Sequence, residues 1–149
     1  MNCKNFGDLY TSSTGGDNGH MGGLFGNVAK YSTNKNVIVA EGCVVNCNIT
    51  ASYYTLKTVE GMEMTTAKSV GFVFGRSGGA KNQIYYGTAE NPVKVSGKLT
   101  VLDAENGSET VLTTENFKGY LTGNGSATSV SGGSTATDLA NVVYEVVNQ

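Results

Sequence analysis

The outline Gly22-Gly23-Leu24-Phe25-Gly26 returns as Gly71-Phe72-Val73-Phe74-Gly75 and again as Gly119-Tyr120-Leu121-Thr122-Gly123. One such block would mean little in a chain of 149 residues that holds 21 glycines. Three are informative, because their closing glycines stand at 26, 75 and 123, which are 49 and 48 residues apart. Self-similarity at a fixed period of about 20–50 residues marks a chain that stacks one supersecondary unit on the next. Other features keep the same register. A β-rich run begins 17 to 19 residues after each closing glycine: Cys43 to Thr50, Val93 to Val101, and Val142 to Val147. In the second run Val93, Val95, Leu99 and Val101 alternate with Lys94, Ser96, Lys98 and Thr100, the signature of a half-buried strand. Gly97 takes an inward position there and leaves room for a bulky neighbour. A leucine and a turn glycine follow the first two runs, Leu56 to Gly61 and Leu102 to Gly107, with a weaker copy at Leu9 to Gly15.

The register predicts stacked blocks, with Leu24, Val73 and Leu121 in one core row and Phe25, Phe74 and Thr122 on a second face. The flanking glycines are expected to make tight bends by reaching positive φ without steric cost. Thr135 to Val147, the one window open to a helix, lacks a 3.6-residue stripe and is rich in β-branched valine. Pro92 precedes the second long strand, where its missing N–H matters least. The expectation is an all-β chain forming one domain over residues 1–149, a parallel β-helix with repeats near 22–70, 71–118 and 119–149 and a partial repeat at 1–21. An antiparallel β-sandwich is the alternative, since it too consists of short strands and frequent turns, but it gives no reason for a shared register of about 48 residues.

Composition limits the partners. Charged residues are 15% of the chain, against about 25% in ordinary soluble proteins, and the net charge is −2 with Arg76 the single arginine. That is not the electrostatic footprint of a nucleic-acid binder. No apolar run approaches the roughly 18 residues of a membrane span, so no membrane insertion is expected, and the N-terminal residues lack the basic start and apolar core of a signal peptide. The three cysteines, Cys3, Cys43 and Cys47, suggest no disulfide framework. Cys43 and Cys47 on one strand would be about 13 Å apart, too far to bridge, and are read as buried thiols. His20 is the only histidine and lies far from them in sequence, so no metal and no cofactor are expected.

The segments Gly22 to Asn27 and Gly42 to Ser52 together resemble the GLUG-type repeat of bacterial surface proteins, in which a Gly-Gly-Leu-hydrophobic-Gly turn precedes an "I-x-N-C" strand. Gly22, Gly23, Leu24, Phe25 and Gly26 match the turn, and Val45, Asn46 and Cys47 match the strand. The likeness covers residues 22–51. Its glycine outline recurs at 71–75 and at 119–123, where Tyr120 and Thr122 depart from the pattern. The resemblance implies an extracellular or cell-surface β-solenoid, a segment of a larger adhesin or secreted protein whose signal lies outside this chain, and it implies no catalytic residues.

The polar residues point the same way. Lyases and hydrolases built on such a framework need clustered carboxylates with a basic partner, and Asp8, Asp17, Asp103 and Asp138 are dispersed. Gly15 to His20 has the composition of an ordinary turn. The Asn-x-Ser/Thr triplets at Asn48, Asn106 and Asn124 are what a chain rich in these residues produces by chance. Tyrosines remain. Tyr53-Tyr54 and Tyr85-Tyr86 are adjacent pairs, and on a strand one member of each faces outward, where a ring and its hydroxyl can stack on and hydrogen-bond a sugar. Tyr53, Tyr54, Tyr85 and Tyr86 are therefore the candidate ligand-binding residues, with a glycan or surface protein as partner. The expected function is a non-catalytic bacterial cell-surface or secreted adhesion or carbohydrate-binding module; the alternative is a non-catalytic or partial segment of a polysaccharide lyase or glycoside hydrolase.

Overall fold

A computed structural model of the chain describes residues 2–11, 20–28, 37–52, 54–59, 62–67, 70–77, 83–102, 107–123, 129–130, 134–137 and 139–148. Among them the strands are β1 (Lys4–Asn5), β2 (Leu9–Thr11), β3 (Met21–Gly22), β4 (Phe25–Val28), β5 (Val37–Val39), β6 (Val44–Ala51), β7 (Tyr54–Val59) and β8 (Met62–Ala67). They continue as β9 (Val70–Gly71), β10 (Phe74–Ser77), β11 (Gln83–Tyr85), β12 (Val93–Val101), β13 (Ser108–Val111), β14 (Ser129–Val130), β15 (Ser134–Thr137) and β16 (Val142–Tyr144). Two 3-10 turns, Phe117–Tyr120 and Leu139–Asn141, are the sole helical elements among the described residues. The chain is all-β, arranged in small sheets that do not close on themselves.

Its pairings follow the period seen in the sequence. β3 runs parallel to β9 with Met21 beside Val70, β4 parallel to β10 with Phe25 beside Phe74, and Thr122 bridges Phe74 in the same parallel sense. β6 lies parallel to β12 along its whole length, from Val44 beside Lys94 to Ala51 beside Val101. The antiparallel ladders among the described residues are β7 with β8, β12 with β13, and β14 with β15, each between strands consecutive in the chain. Strands joining successive glycine blocks are thus parallel, whereas the pairing neighbours of an antiparallel sandwich run in opposite directions.

Two of the three backbone bonds that join the glycine blocks recur at equivalent positions, and the first is shifted by one residue. The N–H groups of Gly23, Leu24 and Phe25 donate to Gly71, Val73 and Val73 oxygens at 3.2, 3.2 and 3.1 Å. Those of Phe72, Val73 and Phe74 donate to Tyr120, Leu121 and Leu121 at 2.8, 2.9 and 3.0 Å. The glycines serve this stacking in a way the sequence does not reveal. Positive φ occurs among the described glycines only at Gly42, Gly87 and Gly97, so the block glycines are not left-handed bends. What they permit is backbone approach: a Cβ on Gly22 would lie 2.7 Å from Gly75 N, and one on Gly71 2.7 Å from Gly123 N. Any side chain there would push consecutive blocks apart.

Both rows of the block are inside. Val73, Leu121 and Phe74 are fully buried, Thr122 is buried, and Leu24 and Phe25 pack against the core. Phe25 and Phe74 stack with centroids 5.1 Å apart at 11°, and Tyr86 meets Phe74 edge-on at 6.3 Å.

β12 behaves as its alternation predicts at Val93, Val95, Leu99 and Val101, all buried. Ser96 departs: it belongs to the outward set yet is 1% exposed. Its in-register neighbour Asn46 donates from Nδ2 to the Val147 carbonyl at 2.9 Å, which brings the segment after β16 over this face. The third β-rich run is also shorter than expected. β16 pairs with Val93 to Val95, while β13 folds back and takes the same edge of β12 from Lys98 to Val101, so the third run has no free edge to continue along. Gly97 sits where the two partners change over, at φ +119 and against the Cys47 carbonyl. Short pieces β1 and β2, both within residues 1–21, lie parallel to β6 on its other edge.

Candidate functional site

The outward tyrosine belongs to a second set of parallel ladders. β5, β11 and β15 align Val37, Gln83 and Thr135 in one row and Val39, Tyr85 and Thr137 in another, with Ile38 and Ile84 between. Alternation puts Ile84 fully inside and Ile38 against the core. It leaves Val37 55% and Val39 41% exposed, in register with Gln83 and Tyr85. Tyr85 is half-buried, and its hydroxyl donates to Gln83 Oε1 at 3.0 Å. That bond fixes the ring along the strand and leaves the glutamine amide nitrogen adjacent, so an apolar plane and polar groups share one small face.

Of the four tyrosines nominated by sequence, Tyr85 alone is described as reaching the surface. Tyr86 is a correction: it is fully buried, its ring packs on Phe74, and burial pushes its phenol well above the usual range, so it cannot meet a ligand. The pair therefore splits one out and one in, as strand geometry requires. Tyr53 lies outside the described residues, and Tyr54 is described only through the backbone of β7, so that pair is not placed on this face. Gly15 to Gly19 also lie outside the described residues. The neighbours Val37, Val39 and Gln83 were not nominated. Val37-Ile38-Val39 carries the signal of a strand, but three consecutive β-branched residues do not tell which face is core.

On β12 and β6 the outward polar side chains find partners, while Tyr10 on β2 and Val111 on β13 are exposed. Lys94 Nζ bonds Glu145 Oε1 at 2.7 Å and Lys98 Nζ bonds Glu109 Oε2 at 2.9 Å. The Lys98 hydrogen bond and charge hold the Glu109 carboxyl below its ordinary range. Asn48 Nδ2 donates to Asp8 Oδ1 at 3.0 Å. Among the described residues no cluster of three His, Cys, Asp or Glu side chains is placed to hold a metal, and no helix is long and apolar enough to cross a membrane. Cys47 is buried, and burial, with Asp8 adding to it, pushes its thiol up to about 12. It is an inert core thiol.

Comparison with protein-family models, with curated proteins and with solved structures finds no match for this chain.

Proposed function

We propose that the chain is a parallel β-solenoid module of a bacterial cell-surface or secreted protein, and that it holds a glycan or a partner protein on the outward face of β5, β11 and β15. The parallel alignment of Phe25, Phe74 and Thr122, with Leu24 and Phe25 bonded to Val73 as Val73 and Phe74 are to Leu121, supports the solenoid. The GLUG-type resemblance of residues 22–51 supports the surface location. One observation carries the binding face: a tyrosine whose hydroxyl is hydrogen-bonded along its own strand lies in register with two exposed valines, so that ring, amide and apolar surface share one ladder. A rigid aromatic plane beside an amide is suited to stacking on a sugar ring and bonding its hydroxyls without changing it chemically. A non-catalytic role is supported by the arrangement of Glu109 and Glu145, each tied to a lysine as structural ion pairs.

The test is a glycan-array screen of the chain, followed by titration of any hit against Tyr85→Ala and Tyr85→Phe. Losing the ring should weaken binding about tenfold, the equivalent of roughly 1.4 kcal/mol, while Tyr85→Phe retains most of it. Unchanged binding in Tyr85→Ala would remove the site from this face. Cleavage of a polysaccharide by the chain would replace the binding module with the lyase or hydrolase alternative.

A further inference from the structure

The environments of the three cysteines differ sharply: Cys3 is exposed, whereas Cys43 and Cys47 are buried. β1 and β6 run parallel with Lys4 beside Val44 and Asn5 beside Val45, so one step earlier in the same register Cys3 stands beside Cys43. The ladder holds at that step, because Val44 N–H donates to the Cys3 carbonyl at 2.8 Å. In-register residues on adjacent parallel strands project to the same side, with backbones roughly 4.8 Å apart, inside the range of about 4.4–6.8 Å that a disulfide spans. We propose that Cys3 and Cys43 form a disulfide in an oxidising environment, locking the N-terminal strand β1 onto β6.

The surroundings agree with this pairing. The Cys43 thiol is raised by burial and is in contact with Cys3, whose backbone N–H and sulfur both lie within hydrogen-bonding reach of it. Cys47 is 2% exposed and is separated from Cys43 along the extended strand β6, so it does not compete. The chemistry requires an oxidant, and a small-molecule disulfide suffices. The exposed Cys3 thiolate attacks one sulfur of that disulfide and releases one thiol. The Cys43 thiolate then attacks the Cys3 sulfur of the mixed disulfide and expels the second thiol. Two protein S–H bonds are lost, one S–S bond forms, and the oxidant leaves as two thiols carrying the two protons. The closed loop runs from residue 3 to residue 43 and contains β1 to β5, so the link restrains a long stretch of the unfolded chain.

The experiment uses the whole chain, folded and reduced, incubated with oxidised glutathione at neutral pH, then alkylated and mapped by mass spectrometry. The expected product is linked between Cys3 and Cys43 and lighter by two hydrogens, with Cys47 alkylated only after denaturation. Its melting midpoint should rise by about 5–10 °C over the reduced chain. Cys3→Ser, a change at an exposed position, should abolish both the link and the rise, and Cys47→Ala should keep both. Glutathione retained on Cys3, a link through Cys47, or no reaction would each overturn the pairing. A Cys3–Cys43 link with no change in midpoint would overturn its role as a lock.

Discussion

The β6–β12 ladder and the β5–β11–β15 ladders are built from the same kind of parallel pairing, yet they treat their outer faces in opposite ways. β12 presents Lys94 and Lys98, each tied to a glutamate, and the segment after β16 crosses over the face at Asn46 and Ser96. β5 and β11 present Val37, Val39 and Tyr85. The inner faces hardly differ, since Val45, Val95 and Ile84 are all fully buried. Stability therefore resides in the shared interior, and the two ladders differ in the alternate residues that point away from it.

The largest expected effect tests the interior. Val95→Asp would bury a carboxylate with no partner and should cost about 4 kcal/mol or more, while Val39→Asp, at an exposed position of β5, should stay within about 1 kcal/mol. Urea unfolding of the two variants measures the contrast, and equal losses would mean that the inward and outward assignments are wrong. Next comes the changeover on β12. Gly97→Ala places a Cβ against the Cys47 carbonyl at φ +119, which should cost about 2–4 kcal/mol from backbone strain and overpacking. A neutral result in the same assay would show that β12 does not need its break between β16 and β13. The smallest effect concerns the paired outer face. The alternation alone makes Lys94→Asp nearly neutral, within about 0.5 kcal/mol, but the structure puts Glu145 2.7 Å from the Lys94 ammonium. Reversing the charge sets two carboxylates together and should cost about 1 kcal/mol at low salt, shrinking in about 1 M salt as screening removes it. A loss insensitive to salt would point to lost packing of the lysine stem instead.

The legible parts of the sequence were those in which one period dominates. The spacing of the blocks predicted that Phe25, Phe74 and Thr122 align, and they do. The alternation of Val93 to Val101 predicted its buried residues apart from Ser96, whose cover comes from a segment about fifty residues later, beyond the reach of any local pattern. The block glycines were correctly marked as special, but for the wrong cause. Sequence cannot separate a glycine needed for positive φ from one needed for close approach, and Gly22 and Gly71 are of the second kind. The hairpins β7–β8 and β12–β13 interrupt the repeat and went unseen, because Leu56 to Gly61 and Leu102 to Gly107 look like simple turns. Of the candidate site, adjacency gave the right rule for Tyr85 and Tyr86 but not which of them faces out. That choice is made by Phe74, whose ring lies 49 residues on from Phe25 and receives Tyr86 from the inside.

The separation between paired strands also governs how the chain reaches this state. β4 cannot meet β10, nor β6 meet β12, until a loop of nearly fifty residues has closed, whereas β7 with β8 needs only a two-residue connection. The local hairpin can flicker into existence within microseconds and gains little by itself. The first long-range ladder bears most of the closure entropy. Once β6 lies on β12, the segments carrying β3, β4 and β5 are already held near β9, β10 and β11, and their pairings add at small further cost. Slow, cooperative folding is the kinetic counterpart of this geometry: after dilution from denaturant, the burial of Phe74 and the protection of the β12 amides should appear in one phase, behind a barrier that the glycine blocks cross together.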